Sequence, residues 1–296
     1  MNILRFLRKC LTDPSAAWRS ARLVGRSAYS RTYWALHPRS PLRYRLPSGG
    51  VLLLERGHSF TSCFWPGVDQ YEPDVHAALF HFLKPGDTFL DCGANIGYFS
   101  VLAGDIVGPT GQVIAIDANP ITYKQLERNL ALNRIGRTIH CALTIEPKEM
   151  ELFVPQEGGD VYSSLRKGGL VCGEAIDSFR VAGRTLDEVV SSLSLGRIEL
   201  MKIDIEGAEL EVLRSAKNVM CELRPVVICE YGTNTWPAFG ASAKALLALL
   251  NERHYRVGTF DVTTKTLHAV ETQIWDAPYA NLILLPVEHA AVKFRL

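Results

Sequence analysis

Phe89-Leu90-Asp91-Cys92-Gly93-Ala94-Asn95-Ile96-Gly97-Tyr98-Phe99-Ser100 is the stretch whose reading decides the fold. A short apolar run ends in an acid, a glycine-bearing turn follows, and a second apolar segment begins at once. This pattern predicts a buried strand, a tight turn and a helix. In a doubly wound sheet such a turn opens onto the ligand crevice at the carboxyl edge of the strands. Glycine lets the backbone come close to a ligand there. Asp91 can accept a hydrogen bond from a ligand ammonium group or an ordered water. Gly93, Ala94, Asn95 and Gly97 are therefore candidate cofactor-binding residues. The dinucleotide fingerprint Gly-x-Gly-x-x-Gly is not met, because Asn95 stands where its second glycine belongs. That favours a ligand without phosphates over a pyrophosphate.

Two further stretches place acids at the same edge. In Ile114-Ala115-Ile116-Asp117-Ala118-Asn119-Pro120, Asp117 ends a second strand, where a carboxylate can accept from ribose hydroxyls, and Ala118 follows it. This motif alone does not separate adenosylmethionine from NAD, and a plain helix cap is the competing reading of Asp117. In Leu200-Met201-Lys202-Ile203-Asp204-Ile205-Glu206-Gly207-Ala208-Glu209, the polar residues alternate with apolar ones along a strand and its exit. Asp204 and Glu206 thus reach the crevice edge as candidates to orient a cofactor, grip substrate hydroxyls, act as a base or hold a metal. The alternative for Glu206 is a helix start, where its charge suits the helix dipole. Glu230 and Tyr231 end another strand, and Ser164 lies in a glycine-rich segment; all three are candidate substrate contacts.

Outward from these motifs the chain keeps a βα rhythm. Strands are expected at 88–92, 113–116, 138–144, 198–203, 225–230, 255–260 and 281–285. Helices are expected at 73–83, 98–107, 120–133, 185–191, 208–216 and 241–253. Residues 145–184 read as irregular, with 150–154 a candidate strand. The expectation is a doubly wound, mostly parallel sheet of seven strands with the last antiparallel. Before it, residues 1–72 read as a basic extension with helices over 2–12 and from Pro14 toward 35, and a hairpin around Pro47-Ser48-Gly49-Gly50. Residues 73–296 form the α/β domain.

Composition is that of an ordinary globular chain, 47% hydrophobic and 21% charged, with net charge +1. No nucleic-acid partner is expected from that balance. The charge is segregated, however. Residues 1–45 carry ten basic side chains and one acid, Asp13, leaving 22 basic and 30 acidic residues in the rest. Three readings compete for this arm: a solvated helical cap, attachment to an anionic membrane surface, and an organelle transit peptide. No apolar run approaches the roughly 18 residues of a membrane span, and Arg5, Arg8 and Lys9 interrupt any signal-peptide core. The seven cysteines include no Cys-x-x-Cys pair, and Cys92, Cys141 and Cys229 sit in apolar runs as core residues of a reducing compartment. A cytoplasmic protein, peripheral to a membrane if the arm binds one, is expected. The eight histidines show no metal-ligand spacing, so no metal site is assigned.

Taken together, the segments Asp91–Gly97, Asp117–Pro120, Ser163-Ser164-Leu165, Arg184–Glu188 and Lys202–Glu209 resemble the FkbM family of methyltransferases in content, order and spacing. The resemblance spans roughly residues 73–286. It implies a class I methyltransferase sheet, S-adenosylmethionine as methyl donor, and transfer to an oxygen of a sugar, glycolipid, polyketide or other natural product. One departure is Asp117, where many methyltransferases carry Glu. Two other readings stand beside it. A non-catalytic adenosylmethionine-binding adaptor would keep Asp91 and Asp117 and need nothing at Asp204 and Glu206. A nicotinamide-dependent oxidoreductase is disfavoured by Asn95.

Overall fold

Strand and helix alternate because short β-branched and apolar runs are punctuated by glycine, proline and asparagine. A computed structural model describes residues 14–58, 60–61, 65, 68, 71–156, 163–167, 176–270 and 272–289. The helix expected over 2–12 lies outside these residues. The N-terminal part comprises α1 (Pro14–Leu36), β1 (Leu42–Arg45) and β2 (Val51–Leu54), the two strands forming a small sheet of their own. Then come α2 (Pro73–Phe82), β3 (Thr88–Cys92), α3 (Tyr98–Val107), β4 (Gln112–Asp117), α4 (Pro120–Asn133) and β5 (Arg137–His140). A second group holds β6 (Ala142–Leu143), β7 (Lys148–Pro155), β8 (Ile176–Arg184) and α5 (Leu186–Ser192). The chain closes with β9 (Leu200–Ile203), α6 (Glu209–Ser215), β10 (Val226–Tyr231), α7 (Ala243–Glu252), β11 (Tyr255–Asp261), β12 (Thr266–Ala269) and β13 (Ala280–Pro286).

Two compact units share the chain. One holds residues up to Tyr44 together with Leu53–Pro73; the other holds Arg45–Leu52 and everything from Asp74 onward. The second unit is built on a sheet of order β12-β11-β13-β10-β9-β3-β4-β5. β10, β9, β3, β4 and β5 are parallel, and β13 runs antiparallel between β10 and β11. Every residue of β3 and β9 is buried, as expected for central strands covered on both faces. The chain order along the sheet reverses between β9 and β3, so the loops after β3 and β9 flank the switch point where ligands bind in open α/β sheets.

The structure corrects the expected sheet in three places. It has eight strands, not seven, because β12 adds an edge by a tight hairpin. Asp261 Oδ1 accepts from the backbone of Thr263 and Thr264, and Lys265 takes the left-handed conformation (φ 55°) usually left to glycine. The strand expected over 138–144 is split at Cys141 into β5 of the main sheet and β6 of another. That other sheet, ordered β6-β8-β7, occupies part of the region read as irregular. Its strand β8 was missed although Phe179 and Val181 alternate with exposed neighbours.

Helix starts follow side-chain chemistry. Asn119, not Asp117, caps α4, accepting from Ile121 N with Pro120 as the first helical residue. Thr185 and Glu188 form a reciprocal capping box on α5. Asn133 at the end of α4 bonds both backbone groups of Val51, at 2.8 and 2.7 Å.

Candidate active site

Register brings the acids together. Across the parallel pair β3–β9, Asp91 lies opposite Lys202 and Cys92 opposite Ile203, so Gly93 meets Asp204 just past the strand ends. The approach is so close that a Cβ on Gly93 would lie 1.7 Å from the Asp204 carbonyl oxygen, and its φ is +83°. On its other side, Gly93 N and Ala94 N both donate to Ile116 O, each at 2.9 Å. The turn is therefore pinched between the ends of β4 and β9. Gly97 also has positive φ (+87°), but the atoms an added Cβ would crowd are the side-chain tips of Leu126 and Leu130, at 2.7 and 3.0 Å.

Asn95, at φ 52°, donates its backbone N–H to Asp117 Oδ2 at 2.7 Å. Asp117 Oδ1 accepts from Asn119 N (2.9 Å) and Thr122 Oγ1 (2.7 Å). A carboxylate oxygen has two lone pairs, so Asp117 retains capacity for a further donor at Oδ2. Burial pushes its pKa up to about 6, against the pull of these hydrogen bonds. Beyond Ala118, His140 stacks on Tyr123 (4.6 Å between centroids) and sits 3.1 Å from Ala118 O. Asp91 is sealed from solvent. Its Oδ2 accepts from Ser100 Oγ at 2.5 Å, and its Oδ1 has no hydrogen-bond partner. Burial raises its pKa, opposed by the Lys202 ammonium and the Ser100 hydroxyl.

The other half of the edge is richer in charge. Lys202 is buried, with its Nζ 2.6 Å from Asp204 Oδ2 and 5.2 Å from the centre of the Phe99 ring. Glu209 folds back from the start of α6, where Oε1 accepts from Ile205 N (2.8 Å) and Gly207 N (3.1 Å). It is fully buried, and burial pushes its pKa up to about 7. Glu206 occupies the same turn at φ 57°. Because Cys229 pairs with Ile203, Glu230 falls beside Asp204. Oxygens of Asp204, Glu209 and Glu230 come within 4.8 Å of one another. Tyr231 points elsewhere. Its hydroxyl donates to Trp275 O (2.8 Å), and its ring is wedged between Trp236 and Trp275.

Residues 163–167 reach across this edge. Ser163 Oγ accepts from Asn119 Nδ2 at 3.3 Å, and Ser164 Oγ lies 3.4 Å from Glu206 O. Ser164 also exchanges both backbone bonds with Phe153. Arg166 holds the far side by bonds to Ala238 O and Glu211 and by lying 4.7 Å over the Phe239 ring. Sequence reasoning missed Ser100, Thr122 and Glu209. The signal for Glu209 was present, an acid two residues past Gly207 at a helix start, but its backward reach depends on the shape of that turn.

The family model described as the methyltransferase FkbM domain matches residues 91–257, which contain both halves of this edge. The chain belongs to the FkbM methyltransferase family. Methyltransferase sdnD of Sordaria araneosa is 29% identical over 204 residues, covering 58% of this chain and 75% of that protein. The 31-O-demethyl-FK506 methyltransferase FkbM of Streptomyces tacrolimicus is 28% identical over 164 residues, 46% of this chain and 62% of its own length. Among solved structures, methyltransferase FkbM from Methylobacillus flagellatus aligns with 76% of this chain and 52% of that chain, at 15% identity and TM-score 0.45.

Two outcomes follow for the Gly93 turn. Gly93→Ala is expected to cost more than about 4 kcal/mol in urea unfolding, because backbone cannot yield. Gly97→Ala should cost about 1–3 kcal/mol, the left-handed strain plus movement of two leucine tips. Asp117 gives a pH signature. Its folded pKa of about 6 exceeds the ordinary 3.8, so the folded state holds a proton that the unfolded chain has released. That contribution to stability is fully present below about pH 4 and lost as pH rises through 6. Relative to wild type, Asp117→Asn should therefore gain up to about 3 kcal/mol between pH 4 and 7, whatever its offset at pH 4. A flat difference in unfolding free energy across that range would show that Asp117 titrates normally.

Proposed function

We propose that this FkbM family member transfers a methyl group from S-adenosylmethionine to a hydroxyl oxygen of a sugar, glycolipid or natural product. The observation that carries this reading is the Asp91 carboxylate. It is buried beneath the pinched Gly93 turn with Oδ1 unpartnered, and a cationic ligand group relieves that cost. In this reading Asp91 serves the methionine ammonium, directly or through water. Gly93, Ala94, Asn95, Gly97 and Ala118 form the backbone wall, and Asp117 Oδ2 accepts from one ribose hydroxyl. The relative named for 31-O-demethyl-FK506 supports an oxygen acceptor.

When bound, the sulfonium supplies an electrophilic methyl carbon. The protein's work is to place the acceptor oxygen in line and remove its proton. Asp204 and Glu206 are assigned to that work, with Ser164 and Glu230 lining the acceptor side. A carboxylate there would take up the hydroxyl proton as the acceptor oxygen is methylated. Tyr231, with its hydroxyl already committed, supports the wall from behind. The nicotinamide and adaptor readings lose ground to family membership and to this acid-rich acceptor side.

The basic arm is assigned to an anionic membrane surface carrying the acceptor. α1 exposes Val24, Tyr29 and Leu36, each more than half accessible, beside Arg31. No helix among the described residues is long and apolar enough to cross a membrane. Cys92, Cys141, Cys221 and Cys229 are free thiols, which supports a reducing, cytoplasmic setting.

Calorimetry should show S-adenosylhomocysteine binding with micromolar affinity and NAD at least tenfold weaker; tighter NAD binding would overturn the donor. Asp204→Asn is expected to lower turnover on a glycan and natural-product panel at least 100-fold while S-adenosylhomocysteine affinity stays within threefold. Full-length protein should sediment with anionic vesicles at low salt and release at high salt, each close cation contributing about 1 kcal/mol. Removal of residues 1–40 should abolish sedimentation, and equal behaviour of both forms would leave the arm a helical cap.

A further inference from the structure

The geometry points to a hard divalent-cation site formed by Asp204, Glu209 and Glu230 on the acceptor side of the crevice. Sequence spacing suggested Glu206 as the partner of Asp204. The fold instead delivers Glu209, by the backward reach from α6, and Glu230, by the β9–β10 register. One oxygen from each lies within 4.8 Å of the others. A Ca²⁺ shell with oxygens at about 2.4 Å spans about 4.8 Å, and a Mg²⁺ shell at about 2.1 Å spans about 4.2 Å. No pair of these oxygens is thus farther apart than the diameter of a single Ca²⁺ shell.

The second observation concerns Glu209 itself. Oε1 is taken by two backbone N–H groups, whereas Oε2 is shut off from solvent with no hydrogen-bond partner. A buried carboxylate oxygen left this way is costly unless something positive meets it. The Lys202 ammonium lies 2.6 Å from Asp204 Oδ2 and is opposite Asp91 in register. Asp204 keeps Oδ1 for a ligand, and both Asp204 and Glu230 are partly open to the crevice. All-oxygen donors with no histidine or cysteine select Mg²⁺, Ca²⁺ or Mn²⁺ over zinc or copper. Three protein ligands leave positions for the acceptor, so vicinal oxygens of a sugar or polyol can chelate the ion. This role rests on the methyl-transfer reading; the binding of the ion does not.

The test uses the full chain and Mn²⁺ alone as probe. Loss of the free Mn²⁺ paramagnetic resonance signal should show one ion per chain at sub-millimolar concentration, displaced by excess Mg²⁺ or Ca²⁺. Glu230→Gln should weaken Mn²⁺ binding at least tenfold. Glu209→Gln should do the same where it folds, and Glu230 bears none of Glu209's backbone bonds. Calorimetry of S-adenosylhomocysteine on the same samples keeps the two ideas apart. Donor binding with no Mn²⁺ uptake, or with undiminished uptake in Glu230→Gln, overturns the cation site and leaves the methyl-transfer reading intact, Glu209 then being held neutral by a proton. Mn²⁺ uptake lost in Glu230→Gln without donor binding supports the site and counts against the donor.

Discussion

The close approach of Gly93 to the Asp204 carbonyl is the constraint on which the rest of the edge depends. Three strand ends meet there. β4 supplies Ile116 O to the two N–H groups of the turn, β9 supplies the carbonyl that forbids a side chain, and β3 delivers the chain between them. With that geometry set, Asn95 must adopt φ 52° to bring its N–H onto Asp117. α3 must then start at Tyr98 under a left-handed Gly97. This turn is therefore not a loose loop trimmed to a ligand. It is backbone locked by hydrogen bonds at both ends, and such preorganisation spares reordering when a ligand binds.

Electrostatics adds a second demand on the same atoms. Asp91 and Lys202 are opposed in register at the centre of the sheet, both nearly without solvent. Each alone would be a costly buried charge, and together with Asp204 and Ser100 they form a partly compensated group. The compensation is incomplete, with more carboxylates than ammonium groups, so the edge as built favours cationic ligands. A sulfonium donor bearing an ammonium group fits that sign, and a pyrophosphate does not.

Much of this was legible before any coordinates. Asp91, Asp117 and Asp204 announce themselves because a buried strand that ends in an acid before glycine or asparagine has few structural uses, and period and turn chemistry mark the strands between them. What escaped depends on how chain segments fold back on themselves. Glu209 looks like an ordinary first-turn helix acid until Glu206 and Gly207, both at positive φ, turn the chain under it. Tyr231 appeared to face the crevice because it follows Glu230, yet strand alternation sends neighbours to opposite faces. The β8 strand hid because its inward residues, Phe179, Val181 and Gly183, include one with no side chain. β12 hid because a lysine, rather than a glycine, takes the left-handed turn position.

Each half of the edge keeps one buried carboxylate oxygen without a partner, Asp91 Oδ1 and Glu209 Oε2, and in the proposed reading the second bears on which acceptors would bind. On the proposed donor side Asp117 holds three donors, Asn95 bonds Ile96 and Asn129 bonds Ile96 O, while Asp91 Oδ1 is left without a partner. On the acceptor side Asp204, Glu209 and Glu230 crowd together with Glu209 Oε2 unsatisfied. Across both lies the segment 163–167, tied to Asn119 at one end and to Glu206 O and Glu211 at the other. A group left unsatisfied in a dry site rejects any ligand that cannot satisfy it, and this discriminates more sharply than an apolar pocket does. An acceptor that brings oxygens to complete the carboxylate cluster gains what a purely apolar one forfeits. In the proposed reading, selectivity for hydroxylated acceptors would rest on charges that the fold brings together and leaves incomplete, whatever occupies the Gly93 turn.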